Sequence, residues 1–118
     1  MGRFLLVAAG GALGSVARYA VSLLAVRWAA GFPAGTLAVN LAGCLAIGAL
    51  GAALPATSEG TRLFLLTGVL GGFTTFSAFG LETQILATSG RGGLAALYVA
   101  VSVGAGLGAV WLGRVLAR

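Results

Sequence analysis

The sequence predicts an all-α integral membrane protein with four transmembrane helices. Of its 118 residues, 59% are hydrophobic and only 8% are charged, and the mean hydropathy is +1.08. Soluble domains carry about 25% charged residues. A spanning helix needs about 20 mainly apolar residues, and four segments of the chain meet that requirement. A soluble fold is therefore excluded, and the surroundings of the chain are expected to be membrane lipid.

The four predicted helices form a single domain, residues 1–118, with no linker between them. They run over about residues 4–26, 34–54, 63–83 and 94–113, and the connections 28–32, 56–62 and 89–93 are short. Because the number of spans is even, both termini are expected on the same side of the membrane. Glu59 and Arg62, in the second connection, are expected to form a solvated ion pair.

The charged residues exclude several classes of function. All seven basic residues are arginines, and they are scattered singly between apolar runs. Nucleic-acid binding needs basic residues clustered on one face, so no nucleic-acid partner is predicted. The chain has no histidine and one cysteine, Cys44, and so lacks the side chains for a zinc site or a Cys/His nucleophile pair. No enzymatic activity is predicted.

The arginines also give only a weak bias for orientation in the membrane. Short loops rich in arginine and lysine stay on the cytoplasmic side. The side that holds the termini has four arginines and the other side has two, so insertion in either orientation is possible. The first set is Arg3, Arg62, Arg114 and Arg118, and the second is Arg27 and Arg91.

The third segment contains the least helix-like stretch of the chain, residues 68–82. It carries two adjacent glycines, two adjacent threonines, a serine and a carboxylate. Non-helical backbone at membrane depth is tolerated only where protein buries it or where it lines a water-filled cavity. Interrupted helices also place free backbone groups at the bilayer midplane, where ions bind. The third helix is therefore predicted to be broken at its centre.

Two sets of residues near this break can face an anion. Phe76 and Phe79 are three residues apart and share one helix face, and the positive edges of their rings can contact an anion. Thr36, Asn40 and Gly43 share a face of the second helix. The Asn40 amide could donate to an anion or form an interhelical hydrogen bond, and the phenylalanines could serve packing alone. The residues leave these alternatives open.

Other polar residues lie inside the predicted spans. Arg18 is 15 residues past Arg3, and an arginine at that depth costs about 2.5–3.5 kcal/mol. It must face a partner, a water-filled vestibule or the interface, in a structural or a functional role. Tyr98 and Ser102 form a narrow polar stripe on the fourth helix, and Glu82 is either interfacial or part of a polar path. Pairs of small residues, Gly10 with Gly14 and Gly104 with Gly108, indicate close helix packing.

Three motifs occur in order on the first three predicted helices. They are Gly-Ala-x-Gly-x-x-x-Arg at 11–18, Gly-Thr-Leu-x-x-Asn at 35–40 and Gly-Gly-Phe-Thr-Thr-Phe-Ser-x-Phe at 71–79, with Glu82 beyond the third. Together they resemble the CrcB/Fluc family of bacterial fluoride channels over nearly the whole chain. The third motif is highly specific. One position departs from the family, which often has threonine where this chain has Ala78.

The resemblance implies an antiparallel, dual-topology homodimer with two fluoride pores. It implies a sodium ion at the dimer interface, held by the backbone carbonyls of Gly71 and Thr74. Phe76 and Phe79 would be the paired pore phenylalanines, and Asn40 would donate to fluoride. The remaining implied pathway residues are Ser77, Tyr98, Ser102, Thr36 and Glu82, with Arg18 near the vestibule.

The sequence thus predicts a multi-pass channel of the bacterial inner membrane through which fluoride passively leaves the cytoplasm, which confers fluoride resistance. Fluoride enters as its neutral acid and ionises inside, so an anion leak removes it. One alternative is a small four-helix multidrug/proton antiporter, which needs a carboxylate within the membrane, classically in the first helix. The first helix here has none, and Glu82 is the only candidate. Another is a non-transporting subunit of a larger complex.

Overall fold

The computed structural model describes residues 1–27, 29 and 31–118 of the chain. All regular secondary structure in these residues is helical. Four helices are long and apolar enough to cross a membrane, which confirms the prediction of a four-span, all-α protein. Trp28 and Ala30, in the predicted connection 28–32, lie outside the described residues.

The four spans comprise six α-helices and one π-helix. The first two spans are α1, Gly2–Val26, and α2, Ala34–Ala53. The third, Glu59–Thr88, bends by 17° and is made of several pieces. These are α3 (Glu59–Arg62), a π-helix (Leu63–Leu70), α4 (Gly71–Phe73) and α5 (Phe76–Thr88). The fourth span is α6, Gly92–Leu116.

Extended backbone at two threonines separates α4 from α5. Thr74 has φ −81° and ψ 159°, and Thr75 has φ −152° and ψ 124°. Threonine side chains compete for backbone hydrogen bonds and so favour helix ends. The Thr74 hydroxyl donates to the Leu70 carbonyl at 2.9 Å, and the Thr75 hydroxyl accepts the N–H of Ala78 at 3.3 Å. The first threonine therefore closes α4, and the second is the N-cap of α5.

Glycines set how closely the helices pack. A Cβ at Gly10 would overlap the carbonyl oxygen of Phe64, and a Cβ at Gly14 would overlap that of Val69. The predicted packing role of these two glycines is confirmed, because α1 lies directly against the backbone of the third span. A Cβ at Gly48 on α2 would likewise overlap the carbonyl oxygen of Val110 on α6. Small residues allow such approach in a bilayer, where no hydrophobic force draws helices together.

The N-terminus is tied to the connection before the third span. Arg3 Nη2 lies 3.0 Å from Glu59 Oε2, and both side chains are exposed. The predicted ion pair between Glu59 and Arg62 is wrong, since the Arg62 guanidinium instead donates to the Leu54 carbonyl at 3.0 Å. Arg62 thereby donates to a carbonyl at the C-terminal end of α2, where the last carbonyls of a helix have no N–H donor within the helix. The exposed pair with Arg3 contributes little to stability.

Candidate functional site

The side chain of Asn40 holds the extended backbone between α4 and α5. Its Oδ1 accepts the N–H of Thr75 at 2.8 Å, and its Nδ2 donates to the Thr75 carbonyl at 2.9 Å. One amide thus bonds both the N–H and the carbonyl of the residue that caps α5. The interhelical hydrogen bond considered from the sequence is present. The amide nitrogen has a second hydrogen, and Asn40 also lines a cavity, so it can still donate to an anion.

Two backbone carbonyls at this point lack their usual helical donors. In an α-helix, the N–H of Thr75 would bond the carbonyl of Gly71, and the N–H of Ala78 would bond that of Thr74. Here the first N–H goes to Asn40 and the second to the Thr75 hydroxyl. The oxygens of Gly71 and Thr74 therefore do not receive these two α-helical hydrogen bonds. Carbonyl oxygens are the ligands that suit a hard monovalent cation, and sodium at these two carbonyls, which the resemblance implies, stays a prediction.

The first cavity lies against the extended segment and has a volume of about 350 Å³. The phenylalanine rings of Phe76 and Phe79 line it, with centroids 5.5 Å apart and planes tilted by 46°. Phe76 is 82% exposed and Phe79 is 9% exposed. The hydroxyl of Ser102 also lines the cavity, buried and without a hydrogen-bond partner among the described residues. The cavity is therefore mainly apolar, with the donors of Asn40 and Ser102 in its wall.

Buried polar contacts continue from Phe79 toward α2. The Phe79 ring packs on Tyr98 with centroids 5.2 Å apart, and Tyr98 is fully buried. The Tyr98 hydroxyl donates to Glu82 Oε2 at 2.8 Å, and the Thr36 hydroxyl donates to Glu82 Oε1 at 2.7 Å. Each carboxylate oxygen therefore has a hydroxyl donor from a different helix. These contacts place the Glu82 carboxylate against α2 and α6, and its role in a polar path stays a prediction.

A second cavity, of about 400 Å³, lies beside the hydrogen-bonded pair Thr36 and Glu82. Thr36 and Glu82 line it from α2 and α5, together with Ser22 from α1 and Arg91 from the connection before α6. Tyr98 lies between the two cavities, because it contacts Phe79 of the first and Glu82 of the second. Six of the eight predicted pathway residues therefore line one cavity or the other, and Ser77 and Tyr98 line neither.

Arg18 binds the third span. Its Nε donates to the Gly72 carbonyl at 3.1 Å, and the Ser15 hydroxyl lies 3.5 Å from the same oxygen. This carbonyl belongs to the last turn of α4, where a cation is favoured by the unsatisfied backbone groups. The cost of placing an arginine at this depth is offset by that contact. The vestibule position implied by the resemblance stays a prediction, as does a pathway role for Ser77, which is exposed.

Sequence reasoning missed two residues that matter in this geometry. Thr75 was part of the predicted break, but its hydroxyl caps α5 and its backbone binds Asn40. It lies three residues before Ala78, which is the spacing of an N-cap side chain and the backbone N–H that donates to it, and this spacing could have identified Thr75. From the sequence, Arg91 is only one of two arginines on the side opposite the termini, and no sequence signal indicates that it lines the second cavity.

The fold defines a multi-pass membrane protein whose described residues form four spanning helices, with an extended segment in the third span and a carboxylate bonded by two hydroxyls inside the bundle. The chain belongs to the CrcB-like protein, Camphor Resistance (CrcB) family, which matches residues 5–114. The recognition made from the three motifs is therefore confirmed. The antiporter alternative is not supported, and α1 lacks the carboxylate that it would require.

Individual relatives are similar over nearly their whole length. The fluoride-specific ion channel FluC of Paracoccus denitrificans (strain Pd 1222) is 57% identical over 117 residues, with 98% of this chain and 94% of the relative covered. The FluC protein of Hyphomonas neptunium (strain ATCC 15444) is 51% identical, with 100% and 97% covered. That of Roseiflexus sp. (strain RS-1) is 47% identical, with 95% and 94% covered.

Proposed function

We propose that this protein is a fluoride-selective channel that lets fluoride leave the cytoplasm passively. The names of its relatives support fluoride as the ion. The observation that carries the proposal is the arrangement of Asn40, Phe76 and Phe79 around the first cavity, beside the extended segment. The cytoplasmic membrane of a bacterium is the setting in which such an exit would confer fluoride resistance.

The first cavity has the chemistry that a small anion needs. The Asn40 amide and the Ser102 hydroxyl are donors, and neither is a charge that would hold an anion too firmly to release it. The ring edges of Phe76 and Phe79 carry partial positive charge. Conduction requires binding that is favourable enough for entry and weak enough for exit. Neutral donors and ring edges meet both conditions. Four further residues would extend the path: Ser77, Tyr98, Thr36 and Glu82.

A second copy of the chain, inserted in the opposite orientation, would complete each pore. Phe76 lines the first cavity but is 82% exposed, so one subunit encloses only part of the path. A Cβ at Gly104 or Gly108 would meet nothing within 4 Å, so these packing residues are available to a partner. The small arginine bias between the two sides permits dual topology. Arg18 would lie near the vestibule of the resulting pore.

The third span acts as a broken helix in this proposal, with sodium at the dimer interface. The carbonyls of Gly71 and Thr74 would hold the ion, because their helical donors bind Asn40 and the Thr75 hydroxyl instead. When bound, sodium supplies a fixed positive charge that favours an anion in a low-dielectric pathway. The chain's own contribution is to keep the two carbonyls free and the adjacent phenylalanines in place.

Anion efflux from liposomes containing the purified protein tests the function. Fluoride and chloride would be followed with ion-selective electrodes while valinomycin carries potassium to balance charge. Rapid loss of fluoride with chloride retained is the expected result. Retention of fluoride by liposomes that contain folded, dimeric protein would overturn the proposal, and equal loss of both anions would overturn the selectivity.

Replacing either pore phenylalanine with alanine is expected to lower the fluoride conductance by about two- to tenfold, because edge contacts between aromatic rings, which use the same positive edge, contribute about 0.5–1.5 kcal/mol. Phe76→Ala and Phe79→Ala would be compared by unitary currents in planar bilayers, with dimer formation checked by size-exclusion chromatography. Phe4→Ala is the matched control, because Phe4 is also 82% exposed and lines neither cavity. Unchanged currents in both pore variants would count against the assignment of these rings.

A further inference from the structure

The second cavity has a cation at its edge that the proposed pathway does not use. Arg91 precedes α6, is exposed and lines this cavity. Its Nη1 donates to the Gly31 carbonyl at 2.6 Å, and its Nε donates to the Ser89 hydroxyl at 3.3 Å. Both acceptors are neutral, so these bonds hold the guanidinium in place without cancelling its charge.

No carboxylate neutralises Arg91 in the part of the chain that the structure describes, where Arg3 with Glu59 is the ion pair found. Glu82 lines the same cavity, but both of its oxygens accept hydrogen bonds from the hydroxyls of Thr36 and Tyr98. A carboxylate on this cavity repels an approaching anion. A cation on the same cavity offsets that repulsion and raises the local concentration of anions.

We propose that the second cavity is a mouth of the fluoride pathway and that Arg91 attracts fluoride to it. This inference rests on the proposed fluoride channel. Thr36 and Glu82 connect the cavity through Tyr98 to the phenylalanines of the first cavity. Arg91 therefore acts before the ion meets the buried donors. It sets the rate of arrival of an anion and makes no contribution to discrimination among anions beyond charge.

Arg91 also joins two connections, since it bonds Gly31 and lies beside Ser89. A purely structural clamp would predict a different pattern of mutant effects from an electrostatic role. Lysine keeps the positive charge but cannot reproduce the two-point contact of a guanidinium. Glutamine removes the charge and keeps a donor. Comparison of Arg91→Lys with Arg91→Gln therefore separates the charge from the clamp.

The experiment measures unitary fluoride currents in planar bilayers of neutral phosphatidylcholine, so that the result does not depend on how much protein folds. Currents are recorded at ionic strengths of about 10 mM and about 0.3 M, adjusted with gluconate, because the Debye length falls from about 30 Å to below 10 Å over this range. Arg114→Gln is the matched control, since it removes the same charge from a residue that lines neither cavity.

Arg91→Gln is expected to lower the unitary current about threefold at low ionic strength and by less than about 1.5-fold at high ionic strength. The unitary currents of Arg91→Lys and Arg114→Gln are expected to remain close to that of the unmodified channel at both ionic strengths. Equal losses in Arg91→Lys and Arg91→Gln, independent of salt, would overturn the proposal in favour of a clamp. Unchanged currents in Arg91→Gln would also overturn it. Absence of fluoride current in the unmodified protein would instead refute the proposed function.

Discussion

Replacing Asn40 with alanine is expected to lower the fluoride conductance about 100-fold, because two hydrogen bonds of about 1–1.5 kcal/mol each are lost. Those bonds join the side chain to the backbone of Thr75 at 2.8 and 2.9 Å. Without them, the N–H of Thr75 is free to return to the Gly71 carbonyl and close the α-helical turn. Closure would occupy a proposed sodium ligand and shift the adjacent phenylalanines.

Two measurements check this result, the unitary fluoride current and its dependence on sodium concentration. The sodium concentration for half-maximal current should rise at least about tenfold, equivalent to about 1.4 kcal/mol of lost binding. Gln84→Ala is the matched control, because Gln84 is the only other side-chain amide in the sequence and is exposed. An Asn40→Ala channel with normal current and normal sodium dependence would show that the amide does not hold the carbonyls free.

Replacing Gly48 with valine is expected to destabilise the packing of α2 against α6 by about 3 kcal/mol, at the upper end of the usual cost of overpacking. A Cβ at this position would overlap the carbonyl of Val110, and two further backbone atoms of that residue lie within 3.0 Å. Backbone atoms of a helix cannot rotate away as a side chain does. The two helices must therefore separate, and the first cavity, which both line, would lose its shape.

The recovery of monodisperse protein in mild detergent and its thermal unfolding temperature measure this effect. Gly51→Val is the matched control, because it lies three residues along the same helix and a Cβ there meets nothing within 4 Å. The control should behave like the unmodified protein. Equal recovery and equal thermal stability of the Gly48 variant would contradict the structural packing of α2 on α6.

The four spans can be predicted from the sequence because the bilayer sets physical requirements for any segment that crosses it. Each must supply about 20 apolar residues and satisfy its own backbone, and that demand is local. The composition of residues 68–82 predicts an irregular helix for the same reason, because glycines, threonines and a carboxylate are unfavourable in a uniform membrane-spanning helix. The shared face of Phe76 and Phe79 follows from helical spacing, and their rings do lie together.

The contacts that organise the site could not be predicted, because each joins residues that are distant in the chain. Asn40 is 35 residues from Thr75, and Arg18 is 54 residues from Gly72. The error over Glu59 has the same origin. Arg62 is its near neighbour in sequence, but the fold brings Arg3 from 56 residues away.

The sequence by itself determined the class of protein, its spans and the family, through hydropathy and three motifs whose spacing is local. Tertiary structure alone decided that the Gly71 carbonyl loses its α-helical donor. Whether an N–H closes its own helical turn depends on whether a side chain competes for it. For Thr75 that competitor is Asn40, which reaches it only because α2 packs beside the third span. The loss of this helical hydrogen bond therefore depends on the packing of two helices and cannot be predicted from the third span alone.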